Sequence, residues 1–120
     1  MKTLLIAVTL LLISTTVHVP TPLELDYADA GISVIEFNAG FNSTNSVSWV
    51  GELDDCRGER VDIGEKPQMQ KTHRIVVVPT IIVFKEGEEV KRFQANILMQ
   101  MEATQEDVQD AVDNILRSSF

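Results

Sequence analysis

The amino-acid sequence predicts one α/β domain over residues 32–120, with a central mixed sheet and helices on both of its faces. Three observations indicate this class. Apolar, β-branched runs alternate with helix-like segments along the chain. The run at 80–84 has no polar alternation after its first residue, which is typical of a strand buried on both faces. The last segment, 104–116, carries an apolar stripe at helical spacing. The resulting order, β-α-β-α-β-β-α, predicts a helix-covered sheet with an antiparallel edge.

Length and charge limit the classes of function. The chain has 120 residues, 44% of them apolar, which suits one domain with one core. Ten Lys and Arg stand against eighteen Asp and Glu, a formal net charge of −8. Because phosphate backbones attract clustered positive charge, we expect no nucleic-acid partner. His18 and His73 lie far from each other and form no ligand cluster with Cys56, so we expect no metal and no cofactor.

The N-terminus has the pattern of an export signal. Lys2 precedes an apolar run at 3–13, which as a helix would span about 16 Å, roughly half of a ~30 Å hydrocarbon core. The pattern predicts a signal peptide over residues 1–16, with a short apolar anchor or a buried first strand as alternatives. A leader over 17–31 contains two prolines and is expected to be extended. We therefore expect a periplasmic or extracellular protein, tethered to a membrane if the leader is not cleaved.

Four elements are predicted in the first half of the domain. Residues 32–37 are β-branched and form the first strand. A helix running to about residue 55 is predicted from apolar residues at helical spacing, which are Val47, Val50 and Leu53. A short strand at 60–63 follows it. Pro67 opens a second helix, at a position where the missing N–H has no cost.

The second half has clearer signals. The buried strand at 80–84 is joined by an acidic hairpin turn at 85–88 to an antiparallel strand at 89–93. The final helix starts at Thr104, with Asp107 at the spacing of a capping box.

Two motifs resemble the thioredoxin family. The first is the run at 34–39, VIEFNA, before a loop. The second is Val78-Pro79-Thr80, which opens an apolar strand and a Lys-x-Gly hairpin. The resemblance covers about residues 32–118 and implies a reduced thioredoxin-like fold in which Pro79 is cis.

The same resemblance places the family's redox cysteine pair at the two ends of Asn42-Ser43-Thr44-Asn45. Both ends are asparagine. Thiol–disulfide exchange needs a thiolate, and an amide has none. We therefore predict a degenerate redox site with no catalytic residue. The first three of these residues also match a glycosylation sequon, although helix capping explains them as well.

Two more residues are candidates for chemistry. The resemblance places Glu36 where the family keeps a buried acid for proton transfer; the alternative is a carboxyl satisfied by a nearby Lys or by water. Cys56 is predicted at the far end of the helix that runs to about residue 55, where the dipole raises a thiol pKa, although Arg57 opposes this. Cys56 is either structural or a reactive thiol, and a homodimer linked through it is a further alternative.

Two apolar or aromatic features have ordinary structural alternatives. We expect His73 to face solvent at a helix end. Met99 and Met101 belong to an apolar cluster that either packs under the last helix or forms an adaptable partner surface.

The leading hypothesis for function is a redox-inactive module that binds proteins or peptides, or acts as a scaffold. In the thioredoxin family the backbone beside the cis proline pairs with an extended peptide, a contact that requires no cysteine. The partner is an unknown protein or extended peptide. The expected shallow groove is lined by Phe41, Asn42, Asn45, Val78 and Pro79. Two alternatives are a thiol-disulfide oxidoreductase-related protein that uses Cys56 in cell redox homeostasis, and a structural subunit that uses the fold for packing alone.

Overall fold

The computed structural model describes residues 31–118. The expected signal peptide at 1–16, and the leader at 17–31 apart from its last residue, lie outside the described residues. The described range contains four strands and two α-helices: β1 (Ile32–Asn38), β2 (Arg57–Asp62), α1 (Pro67–Thr72), β3 (Thr80–Lys85), β4 (Glu88–Gln94) and α2 (Gln105–Ser118). Short 3-10 helices occupy Gly40–Asn45 and Val50–Glu52. Within residues 31–118, no helix is both long enough and apolar enough to cross a bilayer.

The four strands form one mixed sheet in the order β2-β1-β3-β4. β1 pairs in parallel with β2 and antiparallel with β3, and β3 pairs antiparallel with β4. The β3–β4 hairpin turns at Glu86 and Gly87, where φ is +50° and +81°. These pairings confirm the predicted α/β class, the mixed sheet and its antiparallel edge.

The sheet has a separate apolar cluster on each face, because successive side chains of a strand point to opposite sides. Ile35 and Phe37 of β1 lie in the cluster that contains Met69 of α1. Val34 lies in the other, with Val108 of α2. Helices therefore cover both faces, as predicted. The first five residues of β3 are buried, which confirms the expected doubly buried strand.

The predicted starts of α1 and α2 are confirmed. Pro67 begins α1. At the start of α2, the Thr104 N–H donates to Asp107 Oδ2 (2.9 Å) and the Asp107 N–H donates to Thr104 Oγ1 (3.2 Å). This reciprocal pair is a capping box, which satisfies two N–H groups that the helix itself cannot.

The helix predicted up to about residue 55 is wrong. The structure has only the three-residue 3-10 helix Val50–Glu52 there, and β2 starts at Arg57 rather than at residue 60. Val50 and Leu53 are buried against the sheet, so their apolar spacing reported burial and not helix. The N–H and C=O of Val47 bond to side chains of Glu36 and Arg60, which removes them from any helical ladder. The chain also passes so close to β2 that a Cβ on Gly58 would lie 1.8 Å from the Val50 carbonyl oxygen.

Candidate functional site

The segment 42–45, which the sequence predicts to be a degenerate redox site, follows β1 and is organised around a buried carboxamide. Asn42 is 3% exposed. Its Nδ2 lies 3.1 Å from Asn38 Oδ1, 3.1 Å from the Met99 carbonyl oxygen and 3.4 Å from the Val78 carbonyl oxygen. Its Oδ1 accepts a hydrogen bond from Nδ2 of Asn45 (2.8 Å). Asn42 therefore contacts the end of β1, the residues before β3 and the loop after β4 from beneath the surface. In this fold its Nδ2 is also inaccessible for glycosylation.

Asn38 supports Asn42 and was not among the sequence-predicted site residues. Its Nδ2 donates to the Asn42 carbonyl oxygen (3.1 Å) and to Ser46 Oγ (2.7 Å), and its Oδ1 accepts from the Ala39 N–H (2.9 Å). Asn38 is 3% exposed. An amide at the end of a strand of mainly β-branched and aromatic residues was the signal for it, because buried polar groups are normally hydrogen-bonded.

A groove of about 330 Å³ lies beside this segment. It is formed by the residues after β1, the residues before β3 and the loop after β4, together with Ile63 after β2 and Gln70 of α1, and no charged side chain of the described residues lines it. Its rim is strongly apolar: Phe41 is 79% exposed, Val76 77% and Ile97 99%. Of the predicted lining residues, Phe41 and Val78 line it. Asn42 lies below the surface, Asn45 is half-buried, and Pro79 is buried and does not line the groove.

The backbone along one side of the groove has unused hydrogen-bonding groups. The Val78–Pro79 peptide bond is cis. Among the residues the structure describes, the N–H groups of Val76, Val77 and Val78 have no hydrogen-bond partner. The Val77 carbonyl oxygen accepts from Thr80 Oγ1 (2.7 Å). This segment thus runs beside the apolar groove with three free donors.

Glu36 is fully buried on the β1 face that points toward α2. Its Oε2 accepts the Val47 N–H (2.7 Å) and its Oε1 accepts Nε of Arg60 (2.5 Å). Arg60 also donates to the Val47 carbonyl oxygen. The nearby Lys expected as one of its partners is wrong: the partners among the described residues are an arginine and a backbone N–H. The carboxylate holds the segment after Asn45 against the sheet.

Cys56 lies immediately before β2 and is half-buried against the α2-side core. The helix end at which it was predicted does not exist, so the dipole argument does not apply. Burial, followed by the carboxylates of Asp55, Asp54 and Asp113, raises the pKa of the Cys56 thiol to about 11. A raised pKa leaves little thiolate at neutral pH, and the thiolate is the reactive form.

The expectation that His73 faces solvent is wrong. It ends α1, as predicted, but its ring packs 5.1 Å from that of Phe37 and 5.2 Å from that of Phe84. Burial, and then the nearby charge of Arg92, lower the pKa of His73. The methionine cluster divides, since Met101 packs against the α2-side core and Met99 lines the groove. Within 31–118 no three metal-ligating side chains come together.

No protein-family model and no curated protein matches the sequence. Solved structures do match. A reduced Schistosoma mansoni thioredoxin pre-protein superposes with a TM-score of 0.59 at 21% identity, over 76% of this chain and 85% of that one. A mutant thioredoxin of Halobacterium salinarum gives 0.58 at 17%, over 76% and 79%. Fasciola hepatica thioredoxin gives 0.54 at 15%, over 76% and 86%. At these identities the likeness concerns the fold, and the chain has a thioredoxin-like fold.

Proposed function

We propose that this protein is an exported binding or scaffolding module, which holds an extended peptide segment in the groove beside Pro79 and does not exchange disulfides. One observation carries the proposal: three backbone N–H groups that have no partner within residues 31–118, at Val76, Val77 and Val78, border an uncharged groove with an exposed apolar rim. Export rests on the charged start and apolar run of residues 1–16.

The backbone groups favour an extended ligand. A peptide that adds as a strand gains main-chain hydrogen bonds, while pockets select alternate side chains. The segment before Pro79 offers such donors, and the groove accepts side chains next to it. The interior of a helix could not use these donors, because its carbonyl groups are already paired within the helix and only those of the last turn are free.

The lining determines the chemistry of the ligand. No charged side chain borders the groove, so a ligand charge placed there would lose its hydration without a partner. Phe41 and Ile97 expose large apolar surfaces, and such surfaces mark interaction sites. The net charge of −8 also disfavours acidic partners. The expected ligand is a neutral, aliphatic segment of another protein.

Disulfide chemistry through Cys56 has weaker support. The thiol is half-buried, and the same burial and carboxylates that raise its pKa to about 11 oppose thiolate formation. A homodimer linked through Cys56 is a separate proposal, which non-reducing electrophoresis of the purified protein tests.

The test uses a fluorescent probe peptide, acetyl-Gly-Ser-Val-Leu-Val-Ser-Gly-amide, and the same peptide N-methylated at its leucine. Strand addition predicts that N-methylation weakens binding about tenfold or more, since the methyl group keeps the peptide backbone from approaching the donors of residues 76–78 while no apolar surface is removed. Ile97→Ser should also weaken binding. Val90→Ser is the matched control, because Val90 is 51% exposed but lies on β4 outside the groove. Equal affinity for both peptides, or equal loss with both variants, would refute the proposal.

A further inference from the structure

The Asn42 side chain lies where three parts of the groove wall meet, namely the segment after β1, the residues before β3 and the loop after β4. It belongs to the segment after β1 and reaches the carbonyl oxygens of Val78, before β3, and of Met99, after β4. These partners are 36 and 57 residues away in sequence. Because Asn42 is buried, its amide depends on these partners for hydrogen bonds.

The donors of this amide are too few for the acceptors around it. A carboxamide nitrogen carries two protons, and three oxygens surround Nδ2 of Asn42. Asn38 Oδ1 and the Met99 oxygen lie at 3.1 Å, within the normal range. The Val78 oxygen lies at 3.4 Å, beyond it. The Val78 carbonyl is therefore the acceptor left short of a donor in the described part of the chain.

Val78 consequently has both backbone groups available. Its N–H has no partner among the described residues, and its carbonyl oxygen has only the long contact to Asn42. In an antiparallel ladder, two opposed residues exchange both their N–H···O bonds. These are the backbone groups that the antiparallel pairing in the proposed function would use.

We infer that Asn42 is the positioning residue of the groove: its carboxamide, through the bonds to Asn38 and to the Met99 carbonyl oxygen, fixes the loop after β4 that contains Met99 (the Met99 loop) to the segment after β1. This inference rests on the proposed function for the ligand, and on the hydrogen bonds alone for the positioning. An amide suits the task because it donates to backbone carbonyls while its oxygen accepts from Asn45. A carboxylate of the same shape would face those carbonyl oxygens without a proton.

The first test is Asn42→Asp, followed by amide hydrogen exchange of the Met99 loop. The Met99 N–H donates to the Asn96 carbonyl oxygen (3.0 Å) and is a reporter of loop order. We expect its exchange to accelerate about tenfold or more at neutral pH, and probe affinity to fall by a similar factor. Asn114→Asp, an exposed position on α2, makes the same charge change away from the groove and should alter neither.

A pH series separates positioning from general destabilisation. A protonated Asp carries one O–H donor, so both loop protection and probe affinity of Asn42→Asp should recover as the pH falls, while the wild-type affinity stays level. If Asn42→Asp does not fold at neutral pH, Asn42→Ser removes the bridge without adding charge, and it should show the same fast exchange at Met99.

The outcomes distinguish the two proposals. Unchanged Met99 exchange in Asn42→Asp or Asn42→Ser overturns the positioning role, whatever the peptide does. Fast exchange in the variants, with no probe binding by the wild type, keeps the positioning role and refutes the binding function. Weakened binding of Asn42→Asp that does not recover at low pH also overturns the positioning role, since the donor would then be irrelevant.

Discussion

The ion pair between Glu36 and Arg60 should be structural, and its two halves should have unequal effects on stability. Glu36 is fully buried, whereas the Arg60 side chain is 46% exposed. Glu36→Gln leaves a guanidinium that can still reach water. Arg60→Met leaves the Glu36 side chain buried. Within the described residues, its remaining hydrogen-bond partner is then the Val47 N–H. Arg60→Met is therefore expected to be the more destabilising change.

The magnitudes follow from this asymmetry. Removing one partner of a buried pair and leaving the other charged costs about 3–5 kcal/mol, which applies to Arg60→Met. Glu36→Gln keeps the shape and one acceptor oxygen but sets an amide donor against an N–H donor, which costs about 1–3 kcal/mol. In a domain of this size each kcal/mol lowers Tm by roughly 4–8 °C. Both variants should release the segment that contains Val47.

Urea unfolding, followed by far-UV circular dichroism and by fluorescence, measures both effects. Trp49 is the single tryptophan and lies two positions after Val47, so its fluorescence reports the released segment directly. We expect the fluorescence transition to precede the dichroism transition in the variants and to coincide with it in the wild type. A Glu36→Gln cost larger than that of Arg60→Met, or costs below about 0.5 kcal/mol for both, would refute the reasoning.

Two further predictions concern titratable groups. Burial and Arg92 lower the pKa of His73 from its ordinary 6.5. The contribution of the neutral ring to folding stability is therefore complete above pH 6.5, and it is lost as the pH falls through the lower pKa that His73 has in the folded protein. His73→Phe, which keeps a ring between Phe37 and Phe84, should flatten Tm between about pH 7 and pH 5; an unchanged slope would contradict the assignment. For Cys56, burial and neighbouring carboxylates raise the pKa from 9.0 to about 11, so iodoacetamide should alkylate the folded protein about 100-fold more slowly than the urea-unfolded chain. Equal rates would revive the oxidoreductase alternative.

Local signals in the sequence were sufficient for most of the fold. The β-branched runs, Pro67 and the Thr104–Asp107 capping box act within a few residues, so their spacing alone predicts β1, β3, α1 and the start of α2. The sequence was also sufficient to show that the chain has no intrachain cysteine pair, because one cysteine cannot form an intrachain disulfide wherever it lies.

The errors and omissions have a common cause, which is contact between residues distant in sequence. Val47, Val50 and Leu53 have helical spacing, yet the side chains of Glu36 and Arg60 take the backbone groups of Val47 and the segment stays irregular. Burial then sets the surroundings and the pKa of single side chains, and their neighbours in sequence do not reveal either. The surroundings of His73 and Cys56 are examples.

Periodicity therefore determined the class of the fold and its helix caps, since both depend on spacing over one or two turns. Composition determined the lack of a thiol pair, since the sequence has a single cysteine. Tertiary structure alone decided that Asn42, at a predicted redox position, would be buried with its amide facing two carbonyl oxygens that lie 36 and 57 residues further along the chain. A carboxamide has the same hydrogen-bonding capacity in any sequence, and only the folded chain determines which carbonyl oxygens surround it.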